Sequence, residues 1–377
     1  MDLSLYFHIP FCARKCRYCD FYSLPYDRDA ADTFIDALAR EWRMLCDAGT
    51  VPADARIATL FIGGGTPSAL TRGEWERMGR LLASLPMMPD AESTVECNPE
   101  SWLRDVARVW QSLGVNRLSL GVQSLDDREL SVLGRRHTAA QALAVIDEAA
   151  AFGFSIAADC IVGIPGQTAA SLERTLRRLS SHPCIDHLSA YELTIHENTP
   201  FSRHRRLLPL PPDESMARLM SVTNAVCARN GFEQYEISNY ARQGKRCRHN
   251  QAYWDHRPYI GLGPAAHSFL LPHRWSNIAD VNRYSAGMRD GRPVHEVDET
   301  LDAAMLSHEM IFLRLRTAEG LDERRFVELT GAEFAAGERK ITLDRLVKDG
   351  FLSHDPPFFR PTEKGMLVAD GMARRLV

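Results

Sequence analysis

Apolar and polar positions alternate along the first half of the chain in two distinct rhythms. Six short apolar segments, Leu3–Ile9, Thr59–Gly63, Ser93–Cys97, Arg117–Val122, Ile156–Ile164 and His187–Leu193, have the length and β-branched content of strands. Between them lie stretches of helical period: Ala30–Leu45, Gly73–Leu85, Ser101–Leu113, Ala139–Phe152 and Ala169–Ser180. Strands alternating with helices predict right-handed crossovers and a parallel sheet. Six units fall short of a closed eight-stranded barrel, so an α/β fold with an open, partial (β/α)6 barrel is expected, its site at the carboxyl ends of the strands.

The rhythm changes after the sixth unit. Leu207-Leu-Pro-Leu-Pro-Pro212 is a proline-rich break, and Asp213 has the character of a cap for a helix through Arg229. From Ala303 the pattern is helical and ends on a hairpin signal, Asp344 to Leu352 followed by Phe358 to Gly365, which predicts a small, mostly helical, winged-helix-like module. Three regions are expected: a barrel over 1–206, a linker helix and further region over 207–302, and the C-terminal module over 303–377.

Composition adds exclusions. A chain of 377 residues with 45% hydrophobic content can bury a sizeable core. Its net charge of −4 lacks the basic footprint of a nucleic-acid binder, and Arg203-His-Arg-Arg206 reads as a solvated face. The first ten residues lack the basic start and apolar middle of a secretory signal, and no apolar run is long enough for a bilayer. A cytoplasmic protein is expected, with membrane contact only through a partner. Its cysteines should then be reduced or metal-bound; for Cys46, Cys97, Cys160, Cys184 and Cys227 burial is the default.

Chemistry concentrates behind the first strand. Cys12-Ala-Arg-Lys-Cys16-Arg-Tyr-Cys19 supplies three thiolates in eight residues and no obvious fourth. A cubane iron–sulfur cluster takes four thiolates in the ordinary way, so three leave one iron open. A zinc site completed by His8, or three unrelated thiols, are the alternatives. Gly63-Gly-Gly-Thr-Pro67 opens a loop after the second strand, where glycines let the backbone turn sharply and its N–H groups approach a ligand carboxylate. Glu96, Gln123, Arg135 and Asp159 stand at or near strand ends. Gly261-x-Gly263-x-x-Ala266 matches a dinucleotide fingerprint only formally, lacking the preceding long strand and the later acid.

These motifs together identify a resemblance. The C-x3-C-x2-C spacing is similar to the signature of the radical S-adenosylmethionine (SAM) superfamily. Tyr6-Phe-His-Ile-Pro-Phe-Cys12, Gly63 to Pro67, Val95-Glu-Cys-Asn-Pro99, Gly121-Val-Gln-Ser124 and Asp159 to Pro165 resemble the group containing the oxygen-independent coproporphyrinogen III oxidases (HemN) and the heme chaperones (HemW). The resemblance implies a [4Fe–4S] cluster on Cys12, Cys16 and Cys19, with SAM chelating the open iron, where an electron from the cluster can cleave its sulfonium bond. It places Tyr6, Tyr18, Gly64, Gly65, Thr66, Glu96, Gln123, Arg135 and Asp159 at SAM, with Arg136 adjoining Arg135 as an alternative.

Two features divide the group. The oxidase pattern continues with a cysteine two residues beyond the third, where this chain has Phe21. His249-Asn-x-x-Tyr-Trp254 resembles the HNxxYW motif of the chaperones, which implies His249 as a heme ligand, Tyr253 and Trp254 packing on the porphyrin, and Cys247 as a competing ligand. Heme and a heme-acceptor protein are then the expected partners in porphyrin metabolism, with an electron donor if SAM is cleaved. Oxidative decarboxylation of coproporphyrinogen III and radical methyl transfer are the rival activities.

Overall fold

The computed structural model describes residues 1 to 377. Its first half repeats one unit: β1 (Asp2–Ile9), α1 (Arg28–Asp47), β2 (Arg56–Gly64), α2 (Arg72–Leu82), β3 (Met87–Cys97), α3 (Arg104–Ser112), β4 (Arg117–Gln123), α4 (Asp127–Leu133), α5 (Ala139–Ala151), β5 (Ser155–Val162), α6 (Ala169–Ser180) and β6 (Ile185–Glu192). Each strand pairs in parallel with the next, which gives the expected partial (β/α)6 barrel. Helix starts are fixed locally. Thr71 with Glu74 and Thr138 with Gln141 form reciprocal capping boxes, and the Asp27 carboxylate accepts from the Ala30 N–H.

The segment after the barrel attaches to both of its edges. It contains α7 (Asp213–Arg229), β7 (Glu233–Gln234), β8 (Asn239–Ala241), α8 (Arg248–Trp254), β9 (Tyr259–Leu262), β10 (His267–Leu270), β11 (His273–Asn277), α9 (Val281–Arg289) and β12 (His295–Thr300). β8 lies antiparallel to β6, while β9 runs parallel to β1 and continues into the antiparallel β10 to β12. One sheet of 12 strands results. Leu219, Tyr240, Ile260 and Tyr284 from this segment share a core of 57 buried residues with the barrel. Pro212, not Asp213, occupies the cap position of α7; Asp213 sits in the first turn, where a carboxylate suits the helix dipole.

The last 75 residues have a core of their own, 13 buried side chains between Met310 and Leu376. α10 (Ala303–Arg314), α11 (Glu323–Thr330) and α12 (Gly337–Lys348) stack on a hairpin of Leu352–Asp355 and Phe358–Pro361, to which Leu321–Asp322 adds a third strand. Helices with a small three-stranded wing match the predicted module. The hairpin begins later than its sequence signal because α12 continues to Lys348. No helix is long and apolar enough to cross a membrane. Of the cysteines expected to be buried, Cys97, Cys160 and Cys227 are, but Cys46 is exposed on the solvent side of α1 and Cys184 is half-buried.

Candidate functional site

The interior of the barrel is polar for a geometric reason. Successive side chains on a strand point to opposite faces, and on β2 to β4 every second residue turned inward is polar, aromatic or glycine: Thr59, Phe61 and Gly63; Glu92, Thr94 and Glu96; Arg117, Ser119, Gly121 and Gln123. The outward positions, such as Leu60, Val95 and Leu118, are apolar and covered by helices. A cavity of about 560 Å³ fills this interior. It brings together Cys12, Cys16, Cys19, Tyr6, Tyr18, Gly64, Gly65, Thr66, Glu96, Gln123, Arg135, Asp159 and His249; Trp254 and Cys247 lie outside its lining.

At the rim, the three cysteines follow β1. Cys12 is buried and its Sγ accepts from Thr66 Oγ1 at 3.3 Å, while Arg135 Nη1 reaches Cys16 Sγ at 3.5 Å. Burial pushes the Cys19 thiol up to about 11, so metal uptake there releases a proton. Both nitrogens of His8 are engaged, Nδ1 with Tyr6 Oη at 3.0 Å and Nε2 with the Tyr22 carbonyl at 2.8 Å. A zinc site completed by His8 would have to break one of them.

The glycine turn differs from its expected role. The Gly64 N–H donates to Glu96 Oε2 at 3.0 Å, that of Gly65 to the Ile9 carbonyl at 2.8 Å, and that of Thr66 to the Phe11 carbonyl at 2.7 Å. No N–H of these three remains for a ligand carboxylate. The turn instead pins the cysteine loop to β2. A Cβ on Gly65 would lie 2.7 Å from the Phe11 carbonyl oxygen, and on Gly64, at φ +103°, 2.6 Å from the His8 ring.

One step inward stand the two carboxyl groups. Asp159 accepts from Ser119 Oγ at 2.9 Å, and Glu96 takes the Gly64 N–H. Burial, then the nearby Asp159, push Glu96 up to about 8. Gln123 ends β4 at φ +65°, a left-handed conformation that a non-glycine residue adopts only when its surroundings enforce it. Arg135 donates through Nη2 to Asn98 Oδ1 at 2.6 Å and to the Gly121 carbonyl at 2.8 Å, and its Nε is buried without a partner. Arg136 is exposed and outside the cavity lining, whereas Arg135 is part of it. The donor set fits a cluster with SAM: three thiols on one loop, an unpaired arginine N–H beside them, and two buried carboxyls facing the same space.

The floor is α8. Glu92 accepts from the N–H groups of Arg248 at 3.1 Å and His249 at 3.0 Å, capping the helix with a carboxylate. His249 is 1% exposed and stacks on Phe61 at 5.2 Å. Its Nδ1 pairs with Thr59 Oγ1 and its Nε2 with Tyr253 Oη, each at 2.8 Å. Burial, reinforced by Arg117, lowers its pKa to about 3, so the ring is neutral. Tyr253 lines the cavity; Trp254 does not, and its carbonyl meets Arg314 at 3.5 Å. Cys247 is fully buried, burial raises its thiol to about 12, and it does not line the cavity. Sequence reasoning missed Thr59, Glu92, Asn98, Arg117 and His187. Polar residues at every second position of an otherwise apolar strand were the signal for them.

Comparison with known proteins agrees with this geometry. Residues 6–179 match the radical SAM superfamily and residues 301–368 the HemN C-terminal domain. The chain is 30% identical to a heme chaperone HemW of Bacillus subtilis, with 97% of each chain covered. It is 33% identical to that of Escherichia coli, over 98% of this chain and 97% of the relative. The coproporphyrinogen III oxidase HemN of Escherichia coli, a radical SAM enzyme, has the same fold, with a TM-score of 0.85 at 24% identity over 99% of this chain and 89% of the other. Sequence match across the whole length, two domain matches in the right order and a shared architecture lead to one conclusion: this chain belongs to the HemW family of the radical SAM superfamily.

Proposed function

We propose that this chain is a heme carrier: it holds a [4Fe–4S] cluster on Cys12, Cys16 and Cys19, binds SAM beside it, and takes up heme for delivery to an acceptor protein. The observation that carries this reading is a single cavity with a three-thiol loop at its rim and the neutral imidazole of His249 at its floor. The curated relatives named heme chaperones support the cargo. When bound, the cluster supplies an open iron position and a source of one electron.

The chain's own residues do the binding. Arg135, beside Cys16, suits the carboxylate of SAM; Glu96 and Asp159 suit its ammonium group and ribose hydroxyls; Gln123, Tyr6 and Tyr18 complete the walls. Thr59 holds Nδ1 of His249, leaving Nε2 as the iron-binding atom once the Tyr253 hydroxyl swings aside. One ligand released by a small side-chain movement suits a cargo that must leave. Phe21, 59% exposed at the cavity mouth, stands where the oxidase pattern has cysteine.

The deciding experiment is anaerobic incubation of the reconstituted protein with coproporphyrinogen III, SAM and a reductant, alongside heme titration. A Soret band that His249→Ala shifts or abolishes, with no porphyrin product, is the expected result. Formation of protoporphyrinogen IX would overturn the carrier reading in favour of a decarboxylase. Replacement of all three cysteines by Ala should abolish iron and sulfide uptake; uptake that persists removes the cluster assignment.

A further inference from the structure

One row deeper than Glu96 and Ser119, four side chains follow each other in register across β1 to β4: Tyr6, Phe61, Thr94 and Arg117. Arg117 is 5% exposed and lines the cavity, and its Nη2 has no hydrogen-bond partner. The acids around it are engaged elsewhere: Glu92 caps α8, and Asp159 takes both contacts of the Ser119 hydroxyl. A buried guanidinium with an unmade hydrogen bond is unfavourable unless an anion completes it.

His187, at the start of β6, lines the same cavity and supplies a second open donor. The Tyr235 hydroxyl accepts from the Cys247 N–H at 3.4 Å, and His187 Nε2, 2.9 Å away, is the one acceptor within reach of its own hydrogen, so the hydroxyl is assigned as donor to Nε2. With Nε2 an acceptor, the ring hydrogen is assigned to Nδ1. That atom is buried without a partner. Arg117 Nη2 and His187 Nδ1 are thus two unpaired donors, one charged, and a carboxylate offers the two acceptor oxygens they lack.

We propose that Arg117 and His187 form a carboxylate-binding subsite in the depth of the barrel, separate from Arg135 at the rim. Within the carrier reading, on which the identity of the ligand rests, the carboxylate is a porphyrin propionate. The amino-acid end of SAM carries the same chemistry, and the test separates the two sources.

Wild type, Arg117→Met and His187→Gln, each anaerobically reconstituted, are titrated with heme, heme dimethyl ester and SAM, and their folding is checked by thermal melts. Wild type should prefer heme to its ester. Arg117→Met should weaken heme binding roughly 10- to 100-fold, the worth of a charged hydrogen bond, and leave the ester unchanged. His187→Gln should give the same pattern in smaller measure, and decides the matter if Arg117→Met does not fold. A loss confined to SAM keeps the subsite and reassigns its ligand. Equal losses for acid and ester, or no change with any ligand, overturn the proposal. If wild type takes up no heme, the carrier reading fails while the SAM arm still decides the subsite.

Discussion

Replacing Tyr253 by Phe isolates the step that frees the floor imidazole. With the ring hydrogen assigned to Nδ1 toward Thr59 Oγ1, Nε2 accepts from the Tyr253 hydroxyl at 2.8 Å, so on the carrier reading hydroxyl and iron would compete for one lone pair. A hydrogen bond of this kind contributes about 0.5–1.5 kcal/mol net. Its removal should raise heme affinity roughly two- to tenfold. The aromatic ring remains, so its edge contact with Tyr259 at 4.5 Å is kept. Because the imidazole is already neutral, with its pKa near 3, no proton has to leave it across the physiological range. The assay is a heme titration followed at the Soret band, run in parallel on a His249→Ala background. There the Tyr253→Phe change should have no effect, since the competition has lost its object. Weaker or unchanged binding in the single variant refutes ligation through Nε2.

Three further outcomes are expected. Glu96, pushed up to about 8, keeps its proton in the folded chain after the unfolded chain has lost it, so its contribution to stability is complete below about pH 4 and is lost as pH rises toward 8. The thermal midpoint of Glu96→Gln should therefore fall less than that of wild type between pH 5 and 8; parallel curves contradict the assignment. Gly65→Ala drives a methyl against the Phe11 and Ile9 carbonyls, which should destabilise the ligand-free chain by about 1–3 kcal/mol and reduce iron and sulfide uptake, and unchanged uptake would show that the turn does not hold the cysteine loop. Glu92→Gln removes the charged acceptor at the start of α8, costing about 1 kcal/mol, and amides from Arg248 to Trp254 should exchange hydrogen faster; protection equal to wild type counts against the cap.

The barrel was legible because each parallel strand is a short segment with an apolar, helix-covered outer face, set off by stretches of helical period; β4 is buried along six of its seven residues although every second one is polar or glycine. The later strands were not. β7 to β9 are two to four residues long, and β12, His-Glu-Val-Asp-Glu-Thr, is an almost wholly exposed edge strand with no apolar alternation to betray it. α4 escaped notice because seven residues, bounded by the Asp126 cap and Gly134 at φ +79°, are too few to show a helical period. Gly261 and Gly263 matched a nucleotide fingerprint for a packing reason: a Cβ on either would meet the carbonyl of His267 at 2.3 Å or of His8 at 2.6 Å. Local motifs exposed the rim of the site, since its residues are adjacent in sequence. The floor is built from β2, β3, β4, β6 and α8, and only tertiary structure brings Thr59, Glu92, Arg117 and His187 to His249.

Rim and floor are tied to each other through two strands. β2 carries Thr59 and Phe61 against His249 and, a few residues on, the glycine turn that holds the cysteine loop; β3 carries Glu92 under α8 and Glu96 beside that turn. Four residues of strand rise about 13 Å, so on the proposed reading a porphyrin at His249 and a SAM molecule at Glu96 would share a boundary inside one cavity. Ligands in contact cannot bind independently: whatever free energy one gains or loses from the other's presence is returned in equal measure. On the proposed reading, SAM therefore bears on heme affinity through occupancy of the barrel alone, before any bond in it is broken. On that reading, cargo release would depend on the state of the cofactor without a separate regulatory domain.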